Sequence, residues 1–238
     1  MKLAYFCTMQ KNECDLQTCF LCRFCISEWK EAIAVKKTTL AFKKGEEIFR
    51  EGEKVGGIFF LYSGAVKVHK QWTGQKELIL RFGKTGDILG HRGIGTSSIY
   101  PVGATALEET KACFISNEFL EATFKVDSNI THRFMLFYAD ELQKAEKRMR
   151  DLALMEVKGR IALALLEIAD VFGTDKEKYI ALAMNRQDIA SYAGTTYETV
   201  FKFFNELTAK KIISTSGKRI KINQPSRLSD FITDHTKE

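Results

Sequence analysis

The sequence lacks any long apolar run. The longest apolar stretch near its start is Leu3 to Cys7, too short for the hydrophobic centre of a signal peptide. No stretch approaches the roughly 20 apolar residues that a membrane-spanning helix needs. We therefore expect a cytoplasmic protein with no membrane partner. In the reducing cytosol, clustered cysteines indicate metal binding or redox chemistry rather than disulfides.

Signatures of catalysis are also missing. The four histidines, His69, His91, His132 and His235, form no recognisable arrangement with an acid or a nucleophile. No glycine-rich phosphate loop of the P-loop or dinucleotide type is present. We therefore do not expect an enzyme. A chain that is 45% hydrophobic and 28% charged is globular rather than disordered.

Glycines recur at short intervals in the region from residue 36 to residue 128. Between them lie short β-prone segments, "IFFLY" (58–62), "AVKVHKQW" (65–72), "ELILRF" (77–82) and "ACFI" (112–115). Strands of this length, separated by frequent turn signals, predict an all-β sandwich or roll.

From Asn129 onward the apolar pattern becomes helical. Apolar residues recur at steps of 4, 3, 4 and 3, at Tyr138, Leu142, Ala145, Met149 and Leu152. This is an a/d seam, and charged residues such as Glu141 fill the solvated positions outside it. We interpret 129–158 as a long helix that pairs with a second copy of the chain; packing on the β domain is the alternative. Gly159 predicts a hinge near the end of this helix.

The segment from residue 159 to residue 238 carries the most specific pattern. Residues 186–207 predict two amphipathic helices joined by a tight turn at Gly194, a helix-turn-helix. Thr196 is placed to cap the second helix. The following "IISTSGKRIKI" predicts a β-hairpin, which we call the wing. The candidate DNA-contacting residues are Arg186, Thr196, Tyr197, Glu198, Phe201, Lys202, Lys218 and Arg219.

The chemistry of these residues suits double-stranded DNA. Glu198 can accept a hydrogen bond from a cytosine amino group, and Lys202 can donate to guanine. An ion pair between these two side chains is the alternative. From Lys202 to Lys221, six basic residues oppose one acid, which favours a polyanionic partner. Lys218 and Arg219 on a wing would reach phosphates. A sensor or interaction protein that does not bind DNA is the rival class, against which the basic wing argues.

The order of β-roll, seam helix and winged helix-turn-helix resembles the Crp/Fnr family of bacterial transcription regulators over about residues 36–224. "RQDIASYAGTTYETVFKFFNEL" (186–207), "GDILG" (86–90) and "ALEETKACFI" (106–115) carry the resemblance. It implies an α+β fold with an N-terminal cyclic-nucleotide-binding-type β-roll (jelly roll), a long dimerisation helix and a C-terminal winged helix-turn-helix. It also implies a homodimer that binds a palindromic DNA site, with RNA polymerase as a further partner.

The resemblance suggests four regions. They are a cysteine-rich segment (1–35), a β-roll sensor domain (36–128), the dimerisation helix (129–158) and the DNA-binding domain (159–238). Residues 197, 198, 201 and 202 fall where the family reads base edges. Glu198 matches the family's usual Glu, whereas Lys202 stands where Arg is usual and Phe201 where Ser or Gly is usual. Lys lacks the bidentate fork of Arg, so the family's half-site does not transfer directly.

The β-roll departs from members of the family that bind cyclic AMP. Those members resemble "GDILGEL", with an Arg-Ser pair further on; here His91 replaces the Glu, and Gly103 and Ala104 replace the pair. An unpaired cyclic phosphate in an apolar pocket is costly, so we do not expect cyclic AMP. Arg92 leaves open another small anionic ligand. His91 and Arg92 therefore define a candidate effector pocket.

The segment "CDLQTCFLCRFC" places Cys14, Cys19, Cys22 and Cys25 within twelve residues. Thiolates at this spacing suit iron–sulfur clusters. In the family's oxygen-sensing fumarate–nitrate branch, which the chain resembles most, three N-terminal cysteines and one in the β-roll hold a [4Fe–4S] cluster. Cys113 stands in the place of the fourth. The resemblance thus implies Cys19, Cys22, Cys25 and Cys113 as ligands, with Cys14 as the alternate, although the branch usually has a wider gap before its third cysteine.

Two readings of the cysteines remain beside the cluster. One is a zinc site formed by the four N-terminal cysteines, and the other is a thiol redox switch. The main prediction is a dimeric regulator controlled by a redox- or oxygen-sensing site in its N-terminal half. The alternative is a regulator that responds to a small anion in the β-roll, with the cysteines in one of these two roles.

Overall fold

The computed structural model describes residues 19–73 and 76–232. The chain divides into two compact units, 1–71 with 80–141 and 72–79 with 142–238. The alternate ligand Cys14 lies outside the described residues. In the described part of the chain, no helix is both long and apolar enough to cross a membrane.

The described cysteine segment forms a short helix. Its elements are α1 (Phe20–Phe24), a 3-10 turn (Ser27–Trp29) and α2 (Lys30–Lys36). Cys19 precedes α1, Cys22 lies within it and Cys25 follows it. Cys19 and Cys25 thus flank the two ends of α1, three residues on either side of Cys22.

Within the described residues, eight strands form the β-roll. They are β1 (Thr38–Phe42), β2 (Glu47–Phe49), β3 (Gly57–Ser63), β4 (Val66–Gln71), β5 (Glu77–Gly83), β6 (Ile88–Leu89), β7 (Gly103–Ala106) and β8 (Thr110–Ser116). They make two four-stranded sheets, in the orders β1-β8-β3-β6 and β2-β7-β4-β5. Buried side chains of both sheets, including Val66, Leu89 and Ala104, form one hydrophobic core. The β-prone segments of the sequence thus became β3, β4, β5 and β8, as predicted.

Two helices follow the β-roll, α3 (Asn117–Val126) and α4 (Ser128–Leu154). The hydroxyl of Ser116 caps α3 by accepting a hydrogen bond from the Phe119 amide at 3.3 Å. Asp127 caps α4, since its Oδ1 accepts from the Ile130 amide at 3.1 Å. α4 has 27 residues, which makes it the long helix that the seam predicted.

The elements that follow α4 all lie in the second unit. They are α5 (Val157–Phe172), α6 (Arg186–Ala193), α7 (Tyr197–Ala209), β9 (Ile213–Ser216), β10 (Arg219–Ile222) and α8 (Pro225–Ser229). The α+β fold expected from the sequence is confirmed: a β-roll, a long helix and a helix-turn-helix with a two-stranded wing.

The hinge predicted at Gly159 is wrong. α4 ends at Leu154 and α5 begins at Val157, so the break between the helices precedes this glycine. Gly159 is buried in the first turn of α5, where a Cβ atom would lie 2.6 Å from the Phe231 carbonyl oxygen. The glycine therefore serves close packing rather than a bend.

Candidate nucleic-acid interface and cysteine site

Three local residues define the start of α6 and its turn to α7. Asn185 caps α6, its side-chain oxygen accepting from the Asp188 amide at 2.6 Å. Gly194 ends α6 in the left-handed conformation, with φ 61° and ψ 46°. Thr196 caps α7, its hydroxyl accepting from the Thr199 amide at 3.3 Å. Glycine adopts a positive φ without the strain that a Cβ atom would add, which is why the tight turn forms here.

Arg160 supports this turn from α5. Its Nε donates to the Ala193 carbonyl at 2.9 Å and its Nη2 to the Gly194 carbonyl at 3.3 Å. Its Nη1 donates to the Met155 carbonyl at 2.7 Å. The guanidinium thus satisfies carbonyls left open at the ends of two helices. Sequence reasoning missed Arg160, although a lone arginine in the apolar stretch "RIALALLEIADVF" is a signal for such a role.

α7 separates a buried face from an exposed one. Its buried side chains are Val200, Phe203, Phe204 and Leu207. Its exposed side chains include Tyr197, Glu198, Phe201 and Lys202. Hydrogen bonds from the amide of Glu198 and from the Thr196 hydroxyl, together with the charge of Lys202, lower the pKa of Glu198. Its carboxylate is therefore an acceptor at neutral pH, as contact with a cytosine amino group requires.

The wing lies beside the start of α7. β9 and β10 pair in antiparallel register around Gly217, whose φ is 60°. A pocket of about 230 Å³ is lined by Arg186, Tyr197 and Lys218, among others, so the structure brings these three DNA-contact candidates together. Arg219 is ion-paired instead, with Asp175 at 2.7 Å and Glu177 at 2.8 Å. The phosphate contact of Arg219 therefore stays a prediction.

The candidate metal ligands meet in one hydrophobic cluster. Cys22, Cys25 and Cys113 are buried in it, and Cys19 packs against it. Cys113 reaches this cluster from β8, where it pairs with Phe60 of β3. In residues 19–73 and 76–232, no three His, Cys, Asp or Glu side chains are placed to hold a metal ion. Thiol donors in an apolar environment nevertheless fit an iron–sulfur cluster in kind.

Asp127 connects the cysteine segment with α4. Its Oδ2 accepts a hydrogen bond from the Ile26 amide at 2.8 Å, while Oδ1 caps the helix. Burial, followed by the charge and hydrogen bonding of Asp127, raises the pKa of Cys25 to about 11. The Cys25 thiol is thus protonated in this environment, and a thiolate there requires a compensating cation. Sequence reasoning did not single out Asp127.

The candidate effector pocket holds a carboxylate of the chain itself. Arg92 donates to Oε2 of Glu141 at 3.2 Å, and Nε2 of His91 lies 3.6 Å from the same oxygen. The Tyr138 hydroxyl donates to the His91 carbonyl at 2.6 Å. Burial pushes the pKa of Glu141 up, but His91, Arg81 and Arg92 outweigh burial and lower it to about 2.

The expectation that Glu141 lies on a solvated face of the helix is therefore wrong. Its relative exposure is 7%, because the guanidinium groups of Arg81 and Arg92 face it from the β-roll. Burial also lowers the pKa of His91, which is consequently neutral near pH 7. The ionic interaction at this site is thus between one carboxylate and two arginines.

The a/d seam is largely exposed in the single chain. Leu142 and Met149 are 61% and 67% exposed. Ala145 is exposed, and Tyr138 and Leu152 are half-buried. Large apolar side chains in a row on a helix surface indicate a partner surface.

Comparisons with known proteins agree with this geometry. Residues 39–127 match the cyclic nucleotide-binding domain, and residues 159–231 match the Crp-like helix-turn-helix domain. The transcriptional activator protein anr of Pseudomonas aeruginosa is 31% identical over 76% of this chain and 74% of its own length. The fumarate and nitrate reduction regulatory protein of Vibrio cholerae is 25% identical over 94% of this chain and 93% of its own length.

A solved structure gives the same result. FixK2 from Bradyrhizobium japonicum superposes with a TM-score of 0.74 and 27% identity, covering 83% of this chain and 98% of that protein. Fold, helix-turn-helix and relatives agree, and none of them points to an enzyme. The chain belongs to the Crp/Fnr family of DNA-binding transcription regulators.

Proposed function

We propose that this regulator senses oxygen or redox state through its N-terminal cysteines. The observation that carries the proposal is the burial of Cys22, Cys25 and Cys113 in one cluster, against which Cys19 packs. Cysteines that are far apart in sequence but share one apolar environment suit a cluster that bridges two parts of a fold. The name of the Vibrio cholerae relative refers to fumarate and nitrate reduction, which suits the same function.

The chain's own residues would act as follows. Cys19, Cys22, Cys25 and Cys113 would hold a [4Fe–4S] cluster as thiolates, with Cys14 as the alternate ligand. When bound, such a cluster would supply an oxidisable, oxygen-sensitive link between the cysteine segment and β8. Asp127 hydrogen-bonds both Ile26 and the first turn of α4, so movement of the cysteine segment reaches the helix directly.

Two further surfaces of the chain serve dimerisation and DNA binding. The seam of α4 pairs two copies of the chain, and the dimer presents two α7 helices to a palindromic site in double-stranded DNA. Glu198, Phe201 and Lys202 contact bases, whereas Arg186 and Lys218 contact phosphates. The protein acts in the cytoplasm, where RNA polymerase is its further partner. A small anion at His91 and Arg92 is not favoured, because Glu141 already binds Arg92.

Anaerobic purification tests the sensing site. We expect about four iron and four sulfide per chain, as a [4Fe–4S] cluster requires. The Cys113→Ala variant should lose this iron and the response of DNA binding to oxygen. Cys7→Ala, which removes a cysteine outside the proposed set of four ligands, should keep both.

Two outcomes would contradict the sensing proposal. One is a colourless protein with a single zinc ion per chain, which would mean that the cysteines form a structural zinc site. The other is a Cys113→Ala variant with full iron content and full oxygen response. DNA binding is tested separately by titration with salt, since contacts to phosphates make the affinity fall steeply as salt rises.

A further inference from the structure

Two aromatic side chains are exposed on α7. Tyr197 is 43% and Phe201 45% exposed. Among the described residues from 159 to 232, no other large hydrophobic side chain is exposed. The other aromatic side chains of α7, Phe203 and Phe204, are buried at 2% exposure each. An exposed aromatic pair in a domain that otherwise buries its apolar side chains indicates a partner surface.

The pair forms a continuous apolar ridge. Tyr197 and Phe201 lie one helical turn apart, with ring centroids 6.3 Å apart and ring planes at 19°. Glu198 and Lys202, the residues that directly follow each member of the pair, are also exposed. Lys218 lines the neighbouring pocket together with Tyr197. One hydrogen-bond acceptor and two cationic donors therefore surround the pair, so its partner offers an apolar group beside polar and anionic groups.

The major groove of DNA has one such group. Thymine presents a C5 methyl at its base edge, whereas none of the other three bases presents a methyl group there. We infer that Phe201 selects thymine at one position of each half-site through contact between its ring and this methyl. Tyr197 lies beside the Phe201 ring and extends the apolar contact. The inference deepens the proposed function and rests on α7 being the base-reading helix.

The expected loss of DNA affinity is that of one buried methyl group. Removing such a group from a contact lowers affinity by about fourfold, which corresponds to about 0.8 kcal/mol. A dimer that contacts two half-sites would lose about 15-fold when both methyls are removed.

The test uses the full-length protein and deoxyuridine, which pairs like thymine but lacks the methyl. A duplex is first selected from a random pool, and each thymine of its half-sites is then replaced in turn. We expect one position per half-site at which replacement weakens binding by about fourfold. The Phe201→Ala variant should bind the thymine and deoxyuridine duplexes equally. Asn205→Ala, a change one turn further along the same exposed face, should keep the difference.

The outcomes separate this inference from the proposed function. If wild-type protein binds every deoxyuridine duplex as tightly as the thymine duplex, thymine selection by Phe201 is wrong. It is also wrong if Phe201→Ala keeps the wild-type ratio of the two affinities. If the pool yields no duplex at all, DNA binding by α7 fails, and the inference fails with it.

Discussion

At the scale of single residues, a few residues fix the local structure of the turn between α6 and α7 and of the buried ion pairs of the β-roll. Gly194 permits the turn of the helix-turn-helix through its positive φ, and Arg160 binds the carbonyl groups around it. Glu141 is held by Arg81 and Arg92, which together form the arginine cradle of the β-roll.

Replacing Gly194 by alanine should destabilise the DNA-binding domain by about 1–2 kcal/mol. A non-glycine residue in the left-handed region is strained by about this amount. The added Cβ atom would also lie 2.9 Å from Cδ2 of Leu152. Chemical denaturation measures the change. Gly217→Ala is the matched control, because Gly217 has a φ of 60° and open space around its Cα. Equal losses would mean that the Leu152 contact is unimportant; no loss in Gly194→Ala would contradict the turn argument.

Protonation of Glu141 should lower the free energy of unfolding at acid pH. Its pKa is lowered from 4.5 to about 2 in the folded protein. The stabilisation is thus fully present above about pH 4.5 and is lost as the pH falls through 2. A shift of this size corresponds to about 3 kcal/mol. Urea denaturation across this range measures the loss.

The Glu141→Gln variant should lack this contribution to the pH dependence and be less stable at neutral pH. Glu146→Gln, an exposed position on the same helix, should behave like the wild type. If the free energy of unfolding changed with pH in the same way in Glu141→Gln and in wild type, the arginine cradle would not be stabilising the Glu141 carboxylate.

At the scale of secondary-structure elements, the decisive contact joins the cysteine segment to the start of α4. Asp127 accepts two backbone hydrogen bonds, one from each element, and its relative exposure is 2%. Trp29 adds a second connection, its indole donating to the Thr123 hydroxyl of α3 at 2.9 Å. The segment that carries the candidate ligands is therefore fixed to the helices that follow the β-roll.

The Ile26→Pro variant removes one of these bonds selectively. Ile26 has a φ of −60° and Cys25 a ψ of 147°, so proline fits without backbone strain. We expect a loss of about 1 kcal/mol, since a hydrogen bond to a carboxylate is lost while proline restricts the unfolded chain. Amide hydrogen exchange in metal-free protein should become faster in both the cysteine segment and the first turn of α4.

Ile26→Ala is the control for this experiment, because it trims the side chain and keeps the amide. Faster exchange confined to the cysteine segment would mean that Asp127 caps α4 independently of that segment. The measurement needs no cluster, so it stands apart from the test of iron binding.

At the scale of the whole molecule, the proposed dimer depends on the seam of α4. Its exposed apolar side chains, Leu142 and Met149, are one heptad apart, as the contacts of a two-stranded coiled coil require. A dimer gains DNA affinity because its two DNA-binding domains are linked and bind the two half-sites together.

The double variant Leu142→Glu, Met149→Glu should be monomeric in sedimentation analysis. Its DNA affinity should fall by at least about 100-fold, since linkage contributes about 10²–10⁴. Lys147→Glu, on the polar side of the same helix, should remain dimeric. A double variant that still sediments as a dimer would refute pairing through this seam.

Features that depend on residues near one another in the chain could be read from the sequence alone. The helix-turn-helix is one, because the φ of Gly194, the cap at Thr196 and the spacing of Val200, Phe203 and Phe204 are local properties. The β-prone segments and the long seam helix are others. In each case the periodicity of apolar side chains and the turn chemistry act within a few residues.

Contacts between distant residues were decided only by the tertiary structure. The periodicity of α4 put Glu141 among solvated residues, but Arg92, 49 positions away, buries it. Arg219 pairs with Asp175, 44 positions away, and Asp127 meets Ile26 across 101 positions. Electrostatic pairing depends on distance in space, which strand register and packing determine. The sequence itself therefore determined which elements form, and the tertiary structure decided which charges they bring together.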